Sequence, residues 1–185
     1  METYDPAKVG PRISWGRSHS VYHYGDSEVI RIPRIEAWVL RDLKGRLERD
    51  MLVCKRYLGE YMLDTRIVRH PDNGAIATIQ PYAAGHYLSK EDMRDMEIKR
   101  QFKDFLARLD LMIRDGHETI DLMGQGGVLQ RKLSNIMVLD DKKLRLFDAV
   151  IADTFGLRFG HWLFNFGKKY LLLRRQNSTI QYLLA

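Results

Sequence analysis

Short β-type segments separated by turn formers make up the first part of the chain, from residue 13 to residue 32. Within it, residues 20–24 and 28–32 are rich in Val, Ile and Tyr and predict two strands. Gly25-Asp26 between them is typical of a tight hairpin. Two further strands are predicted at 65–68 and 75–79, joined by a segment dense in turn formers.

A long helix is predicted between these two pairs of strands. After Pro33 ends the preceding strand, apolar residues recur at helical spacing from Val39 to Leu58. Gly45 predicts a break or bend in this helix, and Gly59 fits its C-terminal cap.

The second half of the chain has mainly helical periodicity. One apolar stripe lies on a charged segment that ends at Gly116, and it consists of Ile98, Phe102, Phe105, Leu109, Met112 and Ile113. The apolar segments 136–139 and 144–147 flank four charged residues, which predicts a short β-hairpin. A last amphipathic helix is predicted from Trp162 through Leu173.

This order of elements predicts an α+β protein of two lobes. Residues 1–80 form an N-lobe with an antiparallel sheet and a long helix. Residues 81–185 form a reduced, mainly helical C-lobe that carries the hairpin.

Composition narrows the classes of protein that the chain can represent. The single Cys54 excludes an intrachain disulfide and fits a reducing, cytoplasmic compartment. The start has no signal-peptide pattern, and no apolar run approaches the roughly 20 residues of a membrane span. The net charge is +6, but most of the excess comes from Lys168, Lys169, Arg174 and Arg175, so a basic helix is indicated and nucleic acid is disfavoured as a partner.

The hairpin carries the sharpest chemical signal. Asn135 stands just before its first strand and Asp148 just after its second, so antiparallel pairing brings a carboxamide and a carboxylate together. Such oxygen ligands suit Mg²⁺, which takes one or two protein ligands beside phosphate oxygens and water. The alternative is that Asn135 caps a turn and Asp148 begins a loop.

The sequence around this hairpin resembles the protein-kinase-like superfamily, which includes the protein kinases and small-molecule kinases of the aminoglycoside and lipopolysaccharide type. Leu133-Ser134-Asn135-Ile136-Met137-Val138, followed by Leu144-Arg145-Leu146-Phe147-Asp148-Ala149, is similar to its catalytic-loop Asn, hairpin and metal-binding Asp. The resemblance implies a two-lobed kinase-like fold that binds ATP and Mg²⁺, with Asn135 and Asp148 as the metal ligands.

Other parts of the chain fall into register with that family. Gly16, Arg17 and Ser18 lie where a glycine-rich loop covers the phosphates, although only the middle glycine of the pattern is present. Arg31 stands in place of the Lys of the third strand, where it keeps the charge in a larger planar group. Glu48 is the best-placed partner for Arg31 and Glu36 the next; a solvated surface position is the alternative for both.

The segment Gln80-Pro81-Tyr82 resembles the hinge whose backbone meets the adenine edge. Its place between the last predicted strand of the N-lobe and the following helix supports this interpretation. The resemblance extends from about residue 13 to Asp148.

The catalytic base departs from the family pattern. In H-R-D-L-x-x-x-N the Asp lies five residues before the Asn, and that position here is Gln130, whose carboxamide accepts no proton at neutral pH. Asp121 is the candidate replacement, because the stretch Gly124-Gln125-Gly126-Gly127 can let the loop fold back toward Asn135. The alternative for Asp121 is a cap in a glycine-rich loop.

Two functions follow from the resemblance. The first is an ATP- and Mg²⁺-dependent phosphotransferase that acts on a small molecule or an envelope sugar. The second is a catalytically inactive pseudokinase that serves as a nucleotide-binding or protein-interaction module, which Gln130 and Arg31 favour.

Overall fold

The structure is a computed structural model that describes residues 1–15, 19–33, 43–123, 132–147 and 162–185. Its strands are β1 (Val9–Trp15), β2 (His19–Tyr24), β3 (Glu28–Pro33), β4 (Arg66–Arg69), β5 (Ile76–Pro81), β6 (Gly85–Tyr87), β7 (Ile136–Leu139) and β8 (Leu144–Leu146). Its helices are α1 (Leu43–Leu58), α2 (Met96–Arg114) and α3 (Trp162–Leu184). The chain divides into two compact units, unit 1 (residues 1–51 and 63–83) and unit 2 (residues 52–62 and 84–185).

Unit 1 is built on a five-stranded antiparallel sheet in the order β1-β2-β3-β5-β4. The predicted hairpin is confirmed: β2 and β3 pair through a turn in which Gly25 has a φ of 59°. One face of the sheet packs a core of Tyr4, Tyr24, Ile30, Val68, Ala77 and Ile79. Since side chains alternate along a strand, Val29 and Arg31 of β3 lie on the opposite face with Thr78 and Gln80 of β5, to which they are paired.

Helix α1 confirms the predicted helix over its described part. It runs without interruption from Leu43 to Leu58 and includes Gly45, and the predicted break or bend near Gly45 stays a prediction, because residues 34–42 lie outside the described ranges. A single glycine costs only about 1 kcal/mol in a helix, which neighbouring residues of good helix propensity offset. Leu58 is the last residue of α1, directly before Gly59, as predicted.

Unit 2 packs α2 and a three-stranded sheet, β6-β7-β8, around the larger of the two cores. Helix α2 begins at an N-cap, Asp95, whose side chain accepts the backbone N–H groups of Glu97 and Ile98. Its predicted stripe is buried at Ile98, Phe102, Phe105, Leu109 and Met112, whereas Ile113 is 44% exposed. Past its end, Gly116 has a φ of 88°, a left-handed conformation that suits a glycine at a helix terminus.

Two β elements differ from the sequence predictions. Strand β1 begins at Val9 rather than near residue 13, and β6 was not predicted at all. All three residues of β6 are exposed, so they show no apolar alternation. The helix predicted from Trp162 is confirmed and extends to Leu184, and no helix within the described ranges combines the length and apolar character needed to cross a bilayer.

Candidate functional site

Asn135 lies at the entrance to β7 and is almost completely buried, with 6% of its surface exposed. Its side-chain Nδ2 donates to the backbone carbonyl of Asp121 at 2.7 Å. Its backbone N–H donates to the carbonyl of Leu122 at 3.2 Å, and its own carbonyl accepts the N–H of Phe147 at 3.2 Å. Because Nδ2 is used by the Asp121 carbonyl, Oδ1 is the atom of this carboxamide that suits a cation.

Asp121 is therefore adjacent to Asn135, although the two residues are 14 positions apart in sequence. The Oδ1 atom of Asp121 accepts the N–H of Met123 at 2.9 Å, which is an Asx-type turn. The structure thus places the backbone of Asp121, whose side chain is half-buried, next to the buried Asn135 carboxamide at one end of the hairpin. Their catalytic and metal-binding roles stay predictions.

The loop around Asp121 has a second support that the sequence did not reveal. The N–H of Leu122 donates to Oε1 of Gln176 on α3 at 2.9 Å, in a fully buried hydrogen bond. The sequence signal that could have indicated this contact is a Gln at position 176, at helical spacing among the apolar residues Leu172, Ile180 and Leu183.

Several predicted site residues lie outside the described part of the chain. These are Gly16, Arg17 and Ser18 of the glycine-rich loop, Glu36, Gln130 and the metal ligand Asp148. Their predicted roles are unchanged.

In unit 1, the predicted phosphate and hinge residues lie on neighbouring strands. Arg31 is paired with Thr78, and Val29 with Gln80. Gln80 is 4% exposed, and its Oε1 has no hydrogen-bond partner among the described residues. Tyr82 is 52% exposed, and its backbone N–H is engaged by the Ser27 carbonyl at 2.8 Å.

Glu48 lies on an exposed part of α1. Its carboxylate forms an ion pair with Lys44, one helical turn earlier, at 3.5 Å, and its side chain is 52% exposed. An i,i+4 pair of this kind is typical of a solvated helix face, the alternative left open by the sequence.

A second polar cluster in unit 2 joins His86 of β6 to the turn that follows this strand, and it was not predicted. His86 Nε2 is 2.8 Å from Asp92 Oδ1, and the hydroxyl and N–H of Ser89 both donate to Asp92 Oδ2 at 2.8 Å. Partial burial acts to raise the pKa of Asp92, but these hydrogen bonds outweigh it and hold the pKa below its ordinary value. The cluster fixes the turn that precedes α2.

Comparison with solved structures agrees with this arrangement of strands and helices. The chain matches the Legionella pneumophila Lpg2603 kinase bound to IP6 with 12% identity and a TM-score of 0.51, over 92% of this chain and 56% of that one. It matches the Mycobacterium tuberculosis PknI kinase domain with 15% identity and a TM-score of 0.50, over 79% of this chain and 60% of that one. For a double mutant of the same domain the TM-score is 0.54 at 15% identity, over 89% of this chain and 68% of the other.

The chain thus spans a little over half the length of these first two kinases. No protein-family model matches the sequence, and no curated protein matches it. At 12–15% identity the likeness concerns the fold. The sheet order β1-β2-β3-β5-β4, the helix between β3 and β4 and the hairpin after α2 agree with it, and the chain has a protein-kinase-like fold.

Proposed function

We propose that the protein is an ATP- and Mg²⁺-dependent phosphotransferase that acts on a small molecule or an envelope sugar. One observation carries the proposal: the buried Asn135 carboxamide donates to the backbone of Asp121, although the two are far apart in sequence. The bond keeps the backbone of the proposed base, Asp121, next to the proposed metal ligand Asn135. The Asn135 carbonyl also accepts the N–H of Phe147, the residue that precedes Asp148.

The donor set fits the metal. Asn135 supplies a carboxamide oxygen and Asp148 a carboxylate, and Mg²⁺ prefers such oxygen ligands. When bound, Mg²⁺ neutralises charge on the phosphate oxygens.

Asp121 is the proposed general base. Its carboxylate takes the proton of the acceptor hydroxyl as that oxygen forms a bond to the γ-phosphorus, while the bond from the γ-phosphorus to the bridging oxygen breaks and ADP leaves. The Asx-type turn with Met123 restricts the orientation of this carboxylate before substrate binds.

Residues of unit 1 are the proposed nucleotide contacts. Arg31 would neutralise phosphate charge, as would the backbone of the loop with Gly16, Arg17 and Ser18. The Tyr82 N–H already donates to Ser27, so a hinge contact with adenine would use other backbone groups of Gln80-Pro81-Tyr82. Glu48 forms an ion pair with Lys44 in the structure, so its contact with Arg31 stays a proposal.

A nucleotide-binding or protein-interaction module without turnover is the second candidate. Arg31 in place of the family Lys favours it, because a guanidinium differs in size and geometry from an ammonium group. Gln130 at the ordinary position of the base favours it as well. This module would bind nucleotide or a protein partner and leave ATP intact.

Calorimetric titration of ATP with and without Mg²⁺ tests the proposal. We expect Mg²⁺-dependent binding in the parent, its loss in Asp148→Asn, and no change in Asp140→Asn, which removes the same charge from an exposed position of the hairpin. Absence of ATP binding in the parent would refute the proposal that the protein is an ATP-dependent enzyme. ATP consumption with candidate acceptors, lost in Asp121→Asn, separates the enzyme from the inactive module.

A further inference from the structure

Gln176 is a buried polar residue in the middle of α3. Only 2% of its surface is exposed, and its neighbours at helical spacing, Leu172, Ile180 and Leu183, belong to or pack against the core of unit 2. Its Oε1 accepts the backbone N–H of Leu122, a residue 54 positions earlier in the chain, at 2.9 Å. A carboxamide at such a position is costly unless its hydrogen bonds are satisfied.

The bond to Leu122 is the first of three that hold one short segment of backbone. The N–H of Leu122 donates to Gln176, and the carbonyl of Leu122 accepts the N–H of Asn135 at 3.2 Å. The carbonyl of Asp121 accepts Nδ2 of Asn135 at 2.7 Å. The side chain of Leu122 is completely buried, so this segment is fixed by packing and by hydrogen bonds on two sides.

We propose that Gln176 is a positioning residue, which holds the main chain of Asp121-Leu122 in the orientation that Asn135 needs. Without an acceptor from α3, the buried N–H of Leu122 would have to find another partner, and the peptide would rotate or open to water. That movement would shift the carbonyl to which Asn135 is bound and, with it, the Oδ1 atom proposed for the metal. The consequence for the metal rests on the proposed function, whereas the effect on the Leu122 backbone does not.

Three variants test this role. Gln176→Leu removes the acceptor at similar volume, and Gln176→Glu keeps an acceptor. Thr179→Val is the matched control, because Thr179 is also 2% exposed on the same helix but makes no hydrogen bond to the Asp121 segment in the described structure. Hydrogen exchange of the Leu122 amide is measured by NMR in the nucleotide-free protein, and the ATP affinity is measured with and without Mg²⁺.

For Gln176→Leu we expect Leu122 exchange to accelerate at least about tenfold beyond any global change, as expected for the loss of a supporting hydrogen bond. The Mg²⁺-dependent part of the ATP affinity should fall about tenfold, the scale on which loss of a partner that orients a metal ligand acts. Gln176→Glu, compared at its own global stability, should retain most of both properties, because either protonation state of the carboxyl keeps an acceptor oxygen. Thr179→Val should leave both unchanged relative to its global stability.

Equal Leu122 exchange in Gln176→Leu and Thr179→Val would overturn the proposal, as would an affinity loss of the same size in the two variants. If Gln176→Leu does not fold, the hydrogen bond is tested in the parent instead, by NMR measurement of the scalar coupling between Leu122 N and Gln176 Cδ. Absence of this coupling overturns the proposal. A parent without Mg²⁺-dependent ATP binding would refute the proposed function. The exchange data would still test whether Gln176 holds the Leu122 backbone.

Discussion

Replacing Asn135 by Asp tests the hydrogen bond on which the candidate site depends. The substitution keeps the size of the side chain but exchanges the Nδ2 donor, 2.7 Å from the Asp121 carbonyl, for an oxygen. Leaving that carbonyl without its partner costs about 1–3 kcal/mol. An ionised carboxylate at a position only 6% exposed would add the cost of an unpaired buried charge.

The introduced carboxyl group can avoid this cost by staying protonated, because a protonated carboxyl donates to the carbonyl as the amide did. Burial and the facing carbonyl therefore raise its pKa in the folded state above the unfolded value of about 3.9. The folded state then binds more protons than the unfolded state, so stability relative to the parent falls as pH rises above about 4. Each unit by which the folded pKa is raised costs about 1.4 kcal/mol at neutral pH.

Urea unfolding of Asn135→Asp and the parent at about pH 4.5, 6 and 7.5 measures this penalty. We expect a loss of about 3 kcal/mol at neutral pH, shrinking toward about 1 kcal/mol at the lowest pH. Asn73→Asp is the matched control: Asn73 is exposed and only accepts, from the Ala75 N–H at 2.9 Å, so its substitution should cost almost nothing. A penalty independent of pH, or equal in the two variants, would refute the reasoning.

Two further substitutions have opposite expected signs. Gln80→Met removes a buried oxygen without a partner among the described residues and should raise the free energy of urea unfolding by about 1 kcal/mol, whereas Gln101→Met removes the acceptor of the Leu144 N–H and should lower it by a similar amount. A lower free energy of unfolding for Gln80→Met would contradict the conclusion that the Gln80 oxygen is unsatisfied. Gly85→Ala places Cβ in a steric clash with the backbone carbonyl oxygen of Val138 in β7 and should cost at least about 2 kcal/mol. Gly59→Ala, whose Cβ has its nearest neighbour 3.9 Å away, should leave the thermal midpoint nearly unchanged. Equal losses for the two glycines would contradict the close approach of β6 and β7.

The elements with a strong apolar pattern could be predicted from the sequence. Helix α2 shows why: its stripe is buried against the core, and both Asp95 at its start and Gly116 after its end act through local backbone geometry. Strand β6 could not be predicted, because its three residues are exposed and the strand exists only through its pairing with β7.

The candidate site could be predicted where the residues that form it are close together in sequence. The position of Asn135 follows from a hairpin signal of about a dozen residues. Gln176 could not be predicted, because it acts on a backbone amide 54 positions away, and a backbone amide leaves no mark in the sequence. Side-chain partners were equally hidden: Glu48 was expected near Arg31, but its ion pair with Lys44 depends on rotamers that the sequence does not determine.

The longer interval between Asp121 and Asn135 bears on the choice of base. The family pattern separates base and Asn by five residues, whereas here the interval is 14. The entropic cost of closing the longer loop exceeds that of the shorter by about 0.9 kcal/mol, from (3/2)RT ln(14/5). A single net hydrogen bond contributes about 1 kcal/mol, and Asn135 and Gln176 together provide three to this segment. These hydrogen bonds therefore offset the entropic cost of the longer loop. The family spacing alone does not require the base to stand at position 130. For the proposed enzyme this favours Asp121, and full ATP turnover in Asp121→Asn would contradict the assignment.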